Sequence, residues 1–88
     1  MRLKYDFTYQ PYDKKYMAIA DYDENEDDLR LIWVNEVGMD IMKLLEKDKS
    51  LDELASELND IYDSDEATMK DSVKSFVEKL RTAGFLVD

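Results

Sequence analysis

Near residue 35 the spacing of apolar residues changes, and with it the kind of backbone the chain can form. Before that point the pattern alternates. In Arg2-Leu3-Lys4-Tyr5-Asp6-Phe7-Thr8-Tyr9 the odd positions are apolar and the even ones polar, the period of a half-buried strand. After it, apolar residues recur three and four apart, the period of an amphipathic helix. With 88 residues in total, there is chain for one hydrophobic core only. A β part followed by an α part on one core predicts a single α+β domain spanning residues 1–88.

The β part reads as three strands. The first is Arg2 to Tyr9, interrupted at Gln10-Pro11 because proline cannot donate to a ladder. The second is Lys15 to Tyr22, and the third is Leu29-Arg30-Leu31-Ile32-Trp33-Val34. This third strand is apolar on both faces, with Leu29, Leu31 and Trp33 on one and Ile32 and Val34 on the other. Helices in so small a domain cover one side of a sheet, so either the strand is sandwiched or an apolar face and a strand edge are left for a partner. Trp33 reads first as core, with an interface anchor as the alternative.

The α part reads as three helices. Asn35 caps the first, which is predicted to run through Lys47. Ser50-Leu51-Asp52-Glu53 is a capping box opening the second, and Asp63 or Ser64 opens the third. The third helix carries the stripe Met69, Val73, Phe76, Val77 and Leu80, with Phe76 and Leu80 near its centre and Val77 at its edge. Gly84 ends it as a left-handed residue. Phe85-Leu86-Val87 is an apolar tail that can pack back or add a short strand. Met17, Met39, Met42 and Met69 read as fillers of core gaps. Three strands then three helices give a small winged-helix-like fold with a three-stranded antiparallel sheet.

Composition removes several kinds of chemistry. The chain has no His and no Cys, which excludes disulfides, zinc and iron–sulfur sites with their usual ligands, thiol nucleophiles and imidazole bases. The expectation is no enzyme, no catalytic residue, no metal and no cofactor. A net charge of −10 repels phosphate backbones, so nucleic acid is not an expected partner. Asp21 to Asp28 holds six acids in eight positions, but Glu26 and Ile32 stand where a calcium loop needs Gly and Glu, so the segment reads as a solvated hairpin. No stretch is apolar enough for a membrane span or a signal peptide, so no membrane contact and a cytoplasmic location are expected.

Several motifs together resemble the PqqD-like family of precursor-peptide recognition elements. Val34-Asn35-Glu36-Val37-Gly38 is similar to its Leu-Asn-x-x-Gly entry into the first helix, followed by Ile41-Met42-Lys43-Leu44-Leu45. Ser50-Leu51-Asp52-Glu53-Leu54 resembles its Thr-Val-x-Glu-Ile start of helix two, and Tyr62-Asp63-Ser64-Asp65 its Tyr-x-x-Asp linker. Asp71-Ser72-Val73, Phe76-Val77, Leu80 and Gly84-Phe85-Leu86 resemble its closing Asp-Val-x-x-Phe-Leu-x-x-Leu-x-x-x-Gly-Leu. The likeness covers residues 29–88. The chain departs from the family at Glu46-Lys47-Asp48, where an Asp-Gly turn is common, and in its acidic hairpin.

The resemblance implies binding rather than catalysis. The leader of a ribosomally made precursor peptide would add as a strand beside the third strand, in the groove against helix three, for presentation to a modifying enzyme of radical-SAM type. Strand addition needs a free edge and neighbouring pockets, and Leu29, Arg30, Leu31, Ile32, Trp33 and Val34 would supply them. On helix three, Val73 and Val77 would face the peptide. Lys70, Lys74 and Arg81 form a basic flank beside Val77 that would steer an acidic segment, unless Lys70 and Lys74 merely pair with Glu66 and Glu78 on their own helix. The alternatives are an acidic winged-helix protein–protein adaptor and a transcriptional regulator, and the open edge could also pair two copies as a homodimer.

Overall fold

The computed structural model describes residues 1–21, 30–63 and 65–87. The expected acidic hairpin from residue 22 on, the ends of strands two and three at Tyr22 and Leu29, and Ser64 lie outside the described residues. The chain forms β1 (Arg2–Leu3), β2 (Phe7–Tyr12), β3 (Lys15–Ala20), β4 (Leu31–Val34), α1 (Glu36–Leu44), α2 (Leu51–Tyr62), α3 (Glu66–Thr82) and β5 (Leu86–Val87). β2, β3 and β4 make a three-stranded antiparallel sheet in that order, followed by the three helices, as the change of period predicts. Among the described residues no helix is long and apolar enough to cross a membrane.

The expected first strand is two strands. Arg2–Leu3 pairs with Leu86–Val87, so the apolar tail does add a strand, and Phe85 packs edge-on against Phe7 at 5.3 Å and Tyr5 at 6.3 Å. Phe7–Tyr12 is the sheet strand, and it runs through Pro11 instead of stopping there. The hydrogen bonds explain why. Asp21 N donates to Asp6 O at 2.8 Å, and antiparallel bonding alternates along the pair. Pro11, opposite Tyr16, therefore falls at a position whose N–H would point out of the sheet, where its loss costs no ladder bond. Asp13, at φ 60°, makes the turn into β3; Asp is among the residues that tolerate this left-handed conformation.

Each helix is started by a capping side chain. Asn35 accepts from Gly38 N at 2.8 Å, and the Ser50–Glu53 capping box is complete. α1 ends at Leu44, earlier than the expected Lys47. α3 is capped by Asp65, which accepts from Thr68 N, and not by Asp63. Asp63 has the left-handed φ 48°, ψ 49°, a conformation that closes one helix and cannot open the next.

The core joins one sheet face to all three helices. Ala18, Ile32 and Val34 meet Ile41, Met42, Leu45, Leu54, Leu58, Met69, Val73, Val77, Leu80 and Phe85. Met39, Met42 and Met69 are buried as expected, while Met17 is half-buried.

Candidate functional site

β4 is the last strand of the sheet, and its outer side is unpaired among the described residues. Ala20 N donates to Arg30 O at 2.9 Å, so Arg30, Ile32 and Val34 turn their backbone groups toward β3. By the same alternation, Leu31 and Trp33 turn theirs to the free edge. Pleating divides the side chains as expected: Ile32 and Val34 are buried, whereas Leu31 is 39% and Trp33 45% exposed. The expectation that Trp33 is core is therefore corrected. It lies on the outer sheet face, edge-on to Tyr12 with ring centroids 5.9 Å apart, because the helices cover only the other face.

Across from this edge stands α3, with the start of α1 between them. A Cβ on Gly38 would sit 2.8 Å from Phe76 Cε2 and 3.2 Å from Val34 Cβ. Only a residue without a side chain lets the Phe76 ring lie this close to the α1 backbone. The result is an open groove lined by Lys15, Trp33, Val34, Asn35, Phe76 and Lys79, with a cavity of about 330 Å³. A smaller cavity of about 190 Å³ shares two of these walls and is lined by Asn35, Val37, Gly38, Ile41, Ser72 and Phe76.

The structure redistributes the expected helix residues. Val73 and Val77 are 0% and 2% exposed and belong to the core, while Phe76, expected at the core's centre, is half-buried and faces the groove. At about 100° per residue, Lys70, Lys74 and Arg81 lie about 120–160° around the helix from Phe76, across the buried stripe. Lys70 pairs with Asp52 of α2 at 3.1 Å, neither facing β4 nor pairing with Glu66. The basic flank exists, but it faces away from the groove. Lys79, about 60° from Phe76 on the other side, and Lys15 of β3 are the groove's cations. Of the strand residues, Arg30 lies over the Tyr5 ring at 4.8 Å, and Leu29 is outside the described residues.

Phe76, Lys79, Lys15, Asn35, Ser72 and Gly38 as groove residues were not legible from spacing. The signal that could have found them is Gly38 one turn after a capping Asn, since an interior helical Gly marks a close approach.

Two phenols lie away from the groove. Tyr9 is pushed up to about 12, first by burial and then by the charge of Glu46. Tyr62 is raised by burial and by donating a hydrogen bond to Asp40, which ties α2 to α1. Among the described residues no cluster of acidic side chains could hold a metal ion.

The sequence matches the family model for coenzyme PQQ synthesis protein D (PqqD) over residues 24–86. No curated protein matches it. A solved structure described as "TbiB1 in Complex with the TbiA(beta) Leader Peptide" has a similar fold, with a TM-score of 0.69 and 18% identity over the whole of both chains.

Proposed function

From the premise that the chain belongs to the PqqD family, we propose that it binds the leader of a ribosomally made precursor peptide and presents it to a modifying enzyme, one of radical-SAM type. The leader adds as a fourth strand on β4, its main chain bonding the outward N–H and C=O groups of Leu31 and Trp33. Side chains on one face of the added strand enter the groove toward Phe76. The observation that carries this reading is the unpaired β4 edge standing beside a groove lined by Trp33, Val34 and Phe76, the last seated against the backbone at Gly38. The solved structure of similar fold, described as a leader-peptide complex, supports it. The protein acts as a recognition element without catalytic chemistry of its own, in keeping with a chain that lacks His and Cys.

The test is a titration of the protein with a short precursor peptide encoded beside it, followed by addition of the neighbouring modifying enzyme. Saturable binding and a ternary complex support the reading. A protein that ignores the peptide and instead self-associates through β4, seen by sedimentation, would replace it with a homodimer.

A further inference from the structure

The groove's two cavities share Asn35 and Phe76 and differ in every other wall. One is lined by Lys15 and Lys79 with Trp33 and Val34. The other is lined by Val37, Gly38 and Ile41, with Ser72 as the lone hydroxyl. The two lysines share one groove and, unlike several others, are not engaged elsewhere. Lys49 pairs with Glu57 and Lys70 with Asp52, and Lys4 and Lys43 lie over tyrosine rings. Lys15 and Lys79 make no ion pair, hydrogen bond or ring contact among the described residues. In a chain with 22 acidic residues, two unpaired ammonium groups lining one groove are complementary to a carboxylate brought from outside.

We propose that Phe76 parts the groove into two compartments, and that together they select a peptide segment with a carboxylate side chain on the Lys15 and Lys79 side and an apolar side chain on the Val37 and Ile41 side. This rests on the strand-addition reading and adds to it a rule for what is bound. Side chains of an extended strand alternate between faces. Two anchors entering the same groove therefore come from positions an even number apart.

A phage-displayed library of random peptides, panned against the full 88-residue chain, tests the rule. The net charge of −10 favours basic peptides over most of the surface, so acid selection that the loss of Lys15 and Lys79 abolishes reports those lysines. Selected peptides are expected to carry Asp or Glu and an aliphatic or aromatic residue at an even separation. An acid-bearing probe from the selection is expected to bind the Lys15→Glu, Lys79→Glu double variant at least about tenfold more weakly, near 1.4 kcal/mol, while its Asp→Lys counterpart binds that variant more tightly. Ser72→Leu, which narrows the far compartment, is expected to remove the apolar preference and keep the acidic one. Selection blind to charge, or a preference for acid that survives the double variant, overturns the two-compartment rule. Amide shifts separate the two readings in that event: shifts at Leu31 and Trp33 leave strand addition standing, and their absence overturns both.

Discussion

Gly38 carries more of the groove than any residue with a side chain. Replacing it with Ala adds helix propensity, about 1 kcal/mol, but also places a methyl 2.8 Å from the Phe76 ring, so the ring must swing toward the groove. The two effects oppose each other. Gly38→Ala is expected to change stability by less than about 1 kcal/mol while weakening peptide binding, as a thermal melt and a titration on the same sample would read. Tyr9 gives a second test at this scale. Its hydroxyl is buried without a hydrogen-bond partner, and such a group costs free energy that Phe avoids. Tyr9→Phe is expected to hold or raise stability at neutral pH, by up to about 1 kcal/mol. The folded phenol ionises near 12, above its ordinary 10.0, so the protonated form is the one the fold favours. That contribution is complete below pH 10 and is lost as pH rises through about 12. Denaturant melts across this window should show the variant losing less stability than the wild type.

Among the elements, α3 separates what periodicity reveals from what it hides. The stripe and its two flanks were legible, since Met69, Val73, Val77 and Leu80 are buried at helical spacing. Which flank faces the sheet was not, because that depends on how α3 lies on α2, and nothing in one helix's sequence encodes it. Hence Lys70, Lys74 and Arg81 were legible as a flank, and the structure sets that flank about 120–160° around α3 from Phe76, with Lys70 paired to Asp52. Strand four was legible in its faces, and its free edge followed from β4 being the last strand. β1 as a strand separate from β2 was not, because a two-residue strand carries no period, whereas the apolar tail was read as able to add the short strand that β5 is. The corrected helix has its own variants. Leu80→Ala is expected to cost about 2–5 kcal/mol and Val77→Ala about 2 kcal/mol, both from buried methyls and the cavity left behind. Phe76→Ala, at a half-buried position, is expected to destabilise less than Leu80→Ala yet weaken binding most. Lys74→Glu is expected to alter neither, staying within about 0.5 kcal/mol of the wild type. Melts and titrations on the four proteins check this order, and a binding loss in Lys74→Glu would return the groove to the other flank.

At the scale of the whole molecule, charge bears on which partners the fold can attract. A winged-helix-like shape is often associated with nucleic acid, but −10 in 88 residues sets the long-range field against phosphate. The same field opposes an acidic peptide until it comes within reach of Lys15 and Lys79. Attraction at the groove and repulsion elsewhere respond to salt in opposite directions. Lysines close to the bound carboxylate dominate, so affinity for an acidic peptide is expected to fall as the Debye length shrinks from about 10 Å at 0.1 M to about 3 Å at 1 M. Isothermal titrations at the two ionic strengths measure it.

The central claim is that a peptide becomes a fourth strand on β4, and amide hydrogen exchange at Leu31 and Trp33 tests it most directly. Both N–H groups point out of the free edge and should exchange rapidly in the unbound protein, unlike those of Ile32 and Val34, which are bonded to β3. On saturation with peptide, Leu31 and Trp33 are expected to become protected together. Saturable binding that leaves both amides exchanging at their free rates would contradict strand addition, however tightly the peptide binds.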